Sequence, residues 1–118
     1  MTQQPAQLVT ILGSTGSIGG AALDVIARHP QRFTVHALSA STQVERMLEQ
    51  CRRFRPRTAV MLDADAAEQL RRALRVEAID TEVLAGIDGL QTIAAEPRAS
   101  IVVAGFRVAY CRILFLSY

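Results

Sequence analysis

One local pattern limits the folds open to this chain more than any other. An apolar run at residues 8–12 meets Gly13-Ser14-Thr15-Gly16-Ser17-Ile18-Gly19, and helical spacing begins at once behind it. A strand that ends on glycine and turns straight into a helix is the opening of a βαβ unit. Each glycine has its own reason to be there. Gly13 turns the chain sharply out of the strand. Gly16 lets the backbone approach a pyrophosphate without a Cβ in the way, and Gly19 lets the helix pack close to the sheet. The N–H groups of the first helical turn are then free to face an anion, and the helix dipole favours negative charge there. Thr15, Ser17 and Ile18 are the expected phosphate neighbours. The spacing is G-x-x-G-x-x-G rather than G-x-G-x-x-G, and no Gly-Lys-Ser/Thr is present, which excludes a P-loop.

The rest of the chain repeats the alternation. Apolar residues recur with helical period over 17–28, and His29-Pro30 closes that helix. A second strand is expected at 33–38. Thr42 and Glu45 read as a capping box ahead of a helix striped by Val44, Met47, Leu48 and Cys51, with Pro56 as its stop. A third strand is expected at 58–62. Asp65 and Glu68 resemble a second capping box, ahead of a helix carrying Leu70, Ala73 and Leu74 on one face. A weak strand at 82–84, a short helix marked by Ile87, Leu90 and Ala94, and a buried strand at 100–104 complete the order βαβαβαβαβ. Short continuous apolar runs alternating with helices predict an α/β fold: a doubly wound parallel sheet of Rossmann type, with helices on both faces.

Composition agrees with one globular domain. The chain has 118 residues, half of them hydrophobic, and a formal charge of +2 that points to neither nucleic acid nor membrane as a partner. The thirteen basic residues are all Arg, which reads as coding bias rather than as a binding signal. Cys51 and Cys111 lack metal-ligand spacing, and Cys51 reads as a small buried hydrophobe. No basic-then-apolar leader opens the chain, so the expected location is the cytoplasm. His29 and His36 are expected to be structural, Asp63 and Asp65 to be helix-start residues, and Asp88 stands alone. These residues offer no catalytic group and no metal ligand set.

The end of the second strand bears on the cofactor. An NAD site usually carries an acidic residue about 20 positions past the glycines, to bond the ribose 2′-hydroxyl. Here the segment reads Leu38-Ser39-Ala40-Ser41-Thr42-Gln43, without a carboxylate. Room for a 2′-phosphate favours NADP. The candidate contacts are Ser39, Ser41, Gln43 and Arg46, while Thr42 is expected to serve mainly as the helix cap and Arg46 mainly as a solvated helix residue.

The string ILGSTGSIG, followed by Leu23-Asp24-Val25-Ile26, His29-Pro30, Glu49-Gln50-Cys51, Pro56 to Met61 and Thr81 to Gly86, closely resembles the NADPH-binding domain of 1-deoxy-D-xylulose-5-phosphate reductoisomerases. The resemblance covers residues 8–104. It implies an enzyme of isoprenoid precursor synthesis by the non-mevalonate route. Such enzymes are homodimers that rearrange a sugar phosphate with Mg²⁺ or Mn²⁺ and reduce the product with NADPH to 2-C-methyl-D-erythritol 4-phosphate. It carries Thr15, Gly16, Ser17 and Ile18 over as cofactor-loop positions and aligns Ser41, Thr42 and Gln43 with a second cofactor segment. Many members have Gly, a basic residue and Asn at those three places, and this chain has none of them. Residues 1–104 are thus expected to form the NADPH-binding domain. Residues 105–118 form an unmatched aromatic-rich tail that a frameshift near Ala104 would explain, with the metal ligands and the catalytic part missing and the fragment inactive on its own. Two other readings fit the loop: a nonenzymatic nucleotide-binding remnant, and another NADP-dependent dehydrogenase of the aspartate-semialdehyde dehydrogenase type.

Overall fold

The computed structural model describes residues 6–104 and 113–115. Ten elements follow one another: β1 (Gln7–Leu12), α1 (Ser17–Arg28), β2 (Phe33–Ala40), α2 (Val44–Phe54), β3 (Thr58–Met61), α3 (Ala64–Val76), β4 (Glu82–Ala85), α4 (Gly86–Ala94), β5 (Ile101–Ala104) and β6 (Ile113–Phe115). The strands form one sheet in the order β4-β3-β2-β1-β5-β6, and every neighbouring pair is parallel.

Handedness explains where the helices lie. From β1 to β4 each strand is laid beside its predecessor in one direction, so right-handed crossovers put α1, α2 and α3 on the same face. The step from β4 to β5 runs back past β1, and the same rule sends α4 to the opposite face. The apolar core divides accordingly. Leu23 and Ile26 of α1, Met47 and Cys51 of α2, and Leu70 and Leu74 of α3 share one cluster with Val9, Ile11, Leu38 and Met61. Ile93 of α4 packs with Leu12, Ala37, Val60, Val102 and Ala104 on the other face. The expected doubly wound architecture is therefore present, with three helices on one face and one on the other.

Several local expectations need correction. The sheet has a sixth strand, because Ile113–Phe115 pairs in parallel with β5; the remainder of the tail expected to be unmatched lies outside the described residues, as does Cys111. Neither capping box forms as drawn. The N-cap of α2 is Gln43, not Thr42, and it makes no side-chain cap; the Thr42 carbonyl instead accepts from the Val44 N–H at 2.9 Å. The N-cap of α3 is Asp63, two residues before the expected box, and its carboxylate accepts from the Ala66 N–H at 2.9 Å. The short helix marked by Ile87, Leu90 and Ala94 is present as α4, although the exposed Ile87 does not face the sheet. Gly89 does: a Cβ there would come within 2.9 Å of the Leu84 Cβ and 3.2 Å of a Val60 methyl, so the helix lies too close for a larger residue. Pairing slips between Val9 and Thr10, which face Val35 and Ala37, and this leaves His36 without a partner on β1.

Candidate functional site

β1 lies where the strand order reverses, between β2 on one side and β5 on the other. In open parallel sheets this switch point opens a crevice beyond the carboxyl ends of the strands. Gly13 leaves β1 into that crevice at φ +80°, a left-handed conformation that a side chain would strain. The chain then arches through Ser14 and Thr15 to Gly16, which is the N-cap of α1 and has extended backbone. Gly19 sits under the arch. A Cβ on it would lie 2.3 Å from the Gly13 carbonyl oxygen and 2.7 Å from the Ser14 Cα. The helix can therefore meet the loop only as glycine. Gly16 is a different case, since a Cβ there would meet nothing closer than 3.6 Å and would stand in the open mouth of the arch.

The polar groups of the loop divide into two sets. One set is spent inside the protein. The Gly13 N–H donates to the Ser39 carbonyl at 3.1 Å and to the Ser39 hydroxyl at 3.0 Å, and the Ser14 N–H donates to the same carbonyl at 2.8 Å. Ser14 is fully buried, and its hydroxyl donates to Gln50 Oε1 at 2.7 Å. Gln50 Nε2 in turn donates to the Ser14 carbonyl at 2.9 Å, and Arg46 donates to the Thr15 carbonyl at 3.0 Å. The second set is free. Among the described residues, the N–H groups of Thr15, Ser17 and Ile18 have no backbone acceptor, and no acidic residue occupies the first turn of α1. Backbone donors at a helix start, with an exposed glycine beside them, suit a pyrophosphate.

The second segment lies on the same rim. Ser41, Thr42 and Gln43 follow β2, which pairs with β1, and all three are exposed. The structure thus brings Gly13, Thr15, Gly16, Ser17, Ile18 and Gly19 to one end of the sheet with Ser41, Thr42 and Gln43. Ser39 departs from expectation: it is buried, and its hydroxyl is taken by the Gly13 N–H rather than left for a phosphate. Arg46 is held against the loop. Sequence reasoning gave no role to Ser14 and Gln50. Their 36-residue separation hides the contact, and only the small size of Ser14 inside a glycine-rich loop hints at it.

The other singled-out residues lie elsewhere or serve structure. His29 is the C-cap of α1, and its backbone N–H donates to the Ile26 carbonyl. His36 lies at the opposite end of the sheet, where burial holds its imidazole below the usual range, aided by Arg98 and Arg57 and opposed by Glu96. Burial likewise pushes the Cys51 thiol up to about 11, as befits an inert core residue. Among the described residues, no group of three or more His, Cys, Asp or Glu could hold a metal ion, and no helix is long and apolar enough to cross a membrane.

Comparison with known proteins gives the family and the fold. A family model described as 1-deoxy-D-xylulose 5-phosphate reductoisomerase matches residues 9–111. The enzyme of that name from Nitrosomonas eutropha is 54% identical over 100 residues, covering 85% of this chain and 24% of its own length. Its counterpart from Nitrosospira multiformis is also 54% identical, over 96 residues, covering 81% of this chain and 24% of its own. Among solved structures, a DOX-P reductoisomerase in complex with NADPH, fosmidomycin and magnesium superposes with a TM-score of 0.81 at 35% identity, covering 85% of this chain and 24% of that one. The Zymomonas mobilis enzyme in complex with NADPH gives 0.80 at 34%, covering 90% and 27%. The chain spans about a quarter of the length of the curated relatives it matches. The family model covers most of the chain, and the chain belongs to the 1-deoxy-D-xylulose 5-phosphate reductoisomerase family.

Proposed function

We propose that this chain is the NADPH-binding part of such a reductoisomerase. The observation that carries the reading is the arch from Gly13 to Gly19. It spends its inward-facing groups on Ser39, Gln50 and Arg46, leaves the N–H groups of Thr15, Ser17 and Ile18 free, and keeps Gly16 bare. Thr15, Gly16, Ser17 and Ile18 hold the pyrophosphate. Ser41, Thr42 and Gln43 line the ribose side of the rim, where no carboxylate opposes a 2′-phosphate. Bound NADPH supplies hydride for reduction of the rearranged sugar phosphate to 2-C-methyl-D-erythritol 4-phosphate. This chain's own contribution is to bind and orient the cofactor. The described residues do not fit a divalent metal ion, so the rearrangement requires groups they do not provide. Residues 1–104 act as the cofactor domain, and the chain alone is inactive.

The direct test is a calorimetric or fluorescence titration of the purified chain with NADPH and with NADH. Saturable binding that is tighter for NADPH is the expected result. Absence of binding at millimolar NADPH would overturn the cofactor reading. Reductoisomerase turnover by the chain alone would overturn the reading that it lacks the catalytic part.

A further inference from the structure

Two side chains of α2, Arg46 and Gln50, stand one turn apart and reach successive carbonyls of the loop: Arg46 to Thr15 at 3.0 Å and Gln50 to Ser14 at 2.9 Å. Gln50 is fixed in its orientation. A carbonyl oxygen only accepts, so the amide nitrogen must face it, and Oε1 is then placed to accept from the Ser14 hydroxyl at 2.7 Å. The residue so gripped is fully buried, and its own N–H is tied to β2 through the Ser39 carbonyl at 2.8 Å. Peptide planarity gives the grip a further effect. The carbonyl of one residue and the N–H of the next point in opposite directions across a trans peptide. Drawing the Ser14 carbonyl toward α2 therefore turns the Thr15 N–H away from α2.

On the reading that the loop binds NADPH, we propose that Gln50, assisted by Arg46, is a positioning residue for the cofactor: the pair clasps the Ser14 and Thr15 carbonyls, and thereby sets the direction of the free Thr15 amide and keeps the Gly16 amide on the Gly13 carbonyl before any ligand arrives. Neither side chain needs to touch the pyrophosphate. The advantage is preorganisation, because an arch already fixed loses less conformational freedom on binding. Exposed Arg46 contributes the weaker half of the clasp, and part-buried Gln50, with two bonds to one residue, the stronger.

The test compares Gln50→Leu, Arg46→Met and Leu70→Val in the full 118-residue chain. Leu70 is a buried residue of α3 that takes no part in the loop, so its variant controls for loss of stability alone. Two readouts are taken well below the melting temperature: the NADPH dissociation constant, and amide hydrogen exchange at Ser14 and Gly16 in the ligand-free chain. For Gln50→Leu, loss of two hydrogen bonds predicts about tenfold weaker NADPH binding and about tenfold faster exchange at those amides. Arg46→Met shifts both in the same direction by a smaller factor, and Leu70→Val moves neither beyond its effect on global exchange. Unchanged loop exchange in Gln50→Leu overturns the clasp, and so does an equal loss of affinity in Leu70→Val. Should the unsubstituted chain bind no NADPH while Gln50→Leu still frees the loop amides, the cofactor reading falls and the clasp remains as the loop's internal support.

Discussion

The two ends of the sheet make opposite use of their space. At the amino end, a cavity of about 630 Å³ is lined by Thr34, His36, Arg55, Arg57, Asp80 and Glu82 among others. At the carboxyl end, the hollow beside the loop is about 310 Å³, bounded by Thr15, Gly16, Arg46 and Gln50 among others. Volume alone would favour the amino end. The amino-end cavity carries charges of both signs, and much of its backbone is already paired. The Arg57 N–H donates to the His36 carbonyl, the Glu82 N–H to the Arg57 carbonyl, and the Thr81 hydroxyl to the Pro56 carbonyl. The loop end is smaller and is also lined by both signs, through Asp24, Glu49, Arg46 and Arg53, but beside it stand the free N–H groups of Thr15, Ser17 and Ile18. A site is better recognised by groups left without partners than by the room around them.

That contrast can be broken most forcefully at Gly19. Gly19→Ala would drive a Cβ into the backbone of Gly13 and Ser14, so α1 and the loop must separate. A loss of about 3 kcal/mol of stability is expected, with NADPH binding abolished, as measured by denaturant melts and titration. Gly16→Ala sharpens the contrast within the same loop. The new methyl meets only ordinary contacts, so the melting temperature should hold, while NADPH affinity falls by roughly tenfold because the mouth of the arch is partly filled. If Gly16→Ala binds NADPH as well as the parent, the arch is not the cofactor cradle.

The amino end should respond to pH rather than to cofactor. His36 has its folded pKa held below the ordinary 6.5, chiefly by burial. The unfolded chain therefore takes up a proton more readily, and stability falls as pH drops below about 6.5 toward the folded value. Melting temperatures measured between pH 8 and pH 5 should show this decline, and His36→Gln should flatten it without altering NADPH affinity. The smallest effect is expected at the Arg52–Glu77 pair, which joins the last turn of α2 to the end of α3 through contacts of 2.6 and 2.5 Å at the surface. Arg52→Gln should leave the melting temperature and the titration indistinguishable from the parent.

How much of this was visible beforehand depended on distance along the chain. The limits of α1, the Gly13 turn and the close packing of Gly19 are local properties, and the glycine spacing expressed them directly. The burial of Met47, Cys51, Leu70 and Leu74 followed from helical period. Caps were less legible. Several polar residues precede α2 and α3, and tertiary placement selects which one faces the free N–H groups, so Asp63 rather than Asp65 caps α3. The period of Ile87, Leu90 and Ala94 marked α4, but not that it meets the sheet through Gly89 as well as Leu90 and Ala94 while Ile87 stays outside. The clasp of Arg46 and Gln50 on the loop spans 31 and 36 residues, and no short-range pattern encodes it.

The reversal of strand order also bears on how the chain folds. β1 to β4 can be added one βαβ unit at a time, each strand pairing with the one just made. β1, which carries the loop, must wait for β5, and the bond from the Ser100 hydroxyl to the Leu8 carbonyl closes 92 residues of chain. Until that closure, one side of the central strand is an open edge with its N–H and C=O groups unpaired. Long-range closures of this kind are slow and leave such edges exposed to other chains. The strand that presents the glycine loop is thus also the one whose second border is completed late, so aggregation during synthesis is expected to begin at β1.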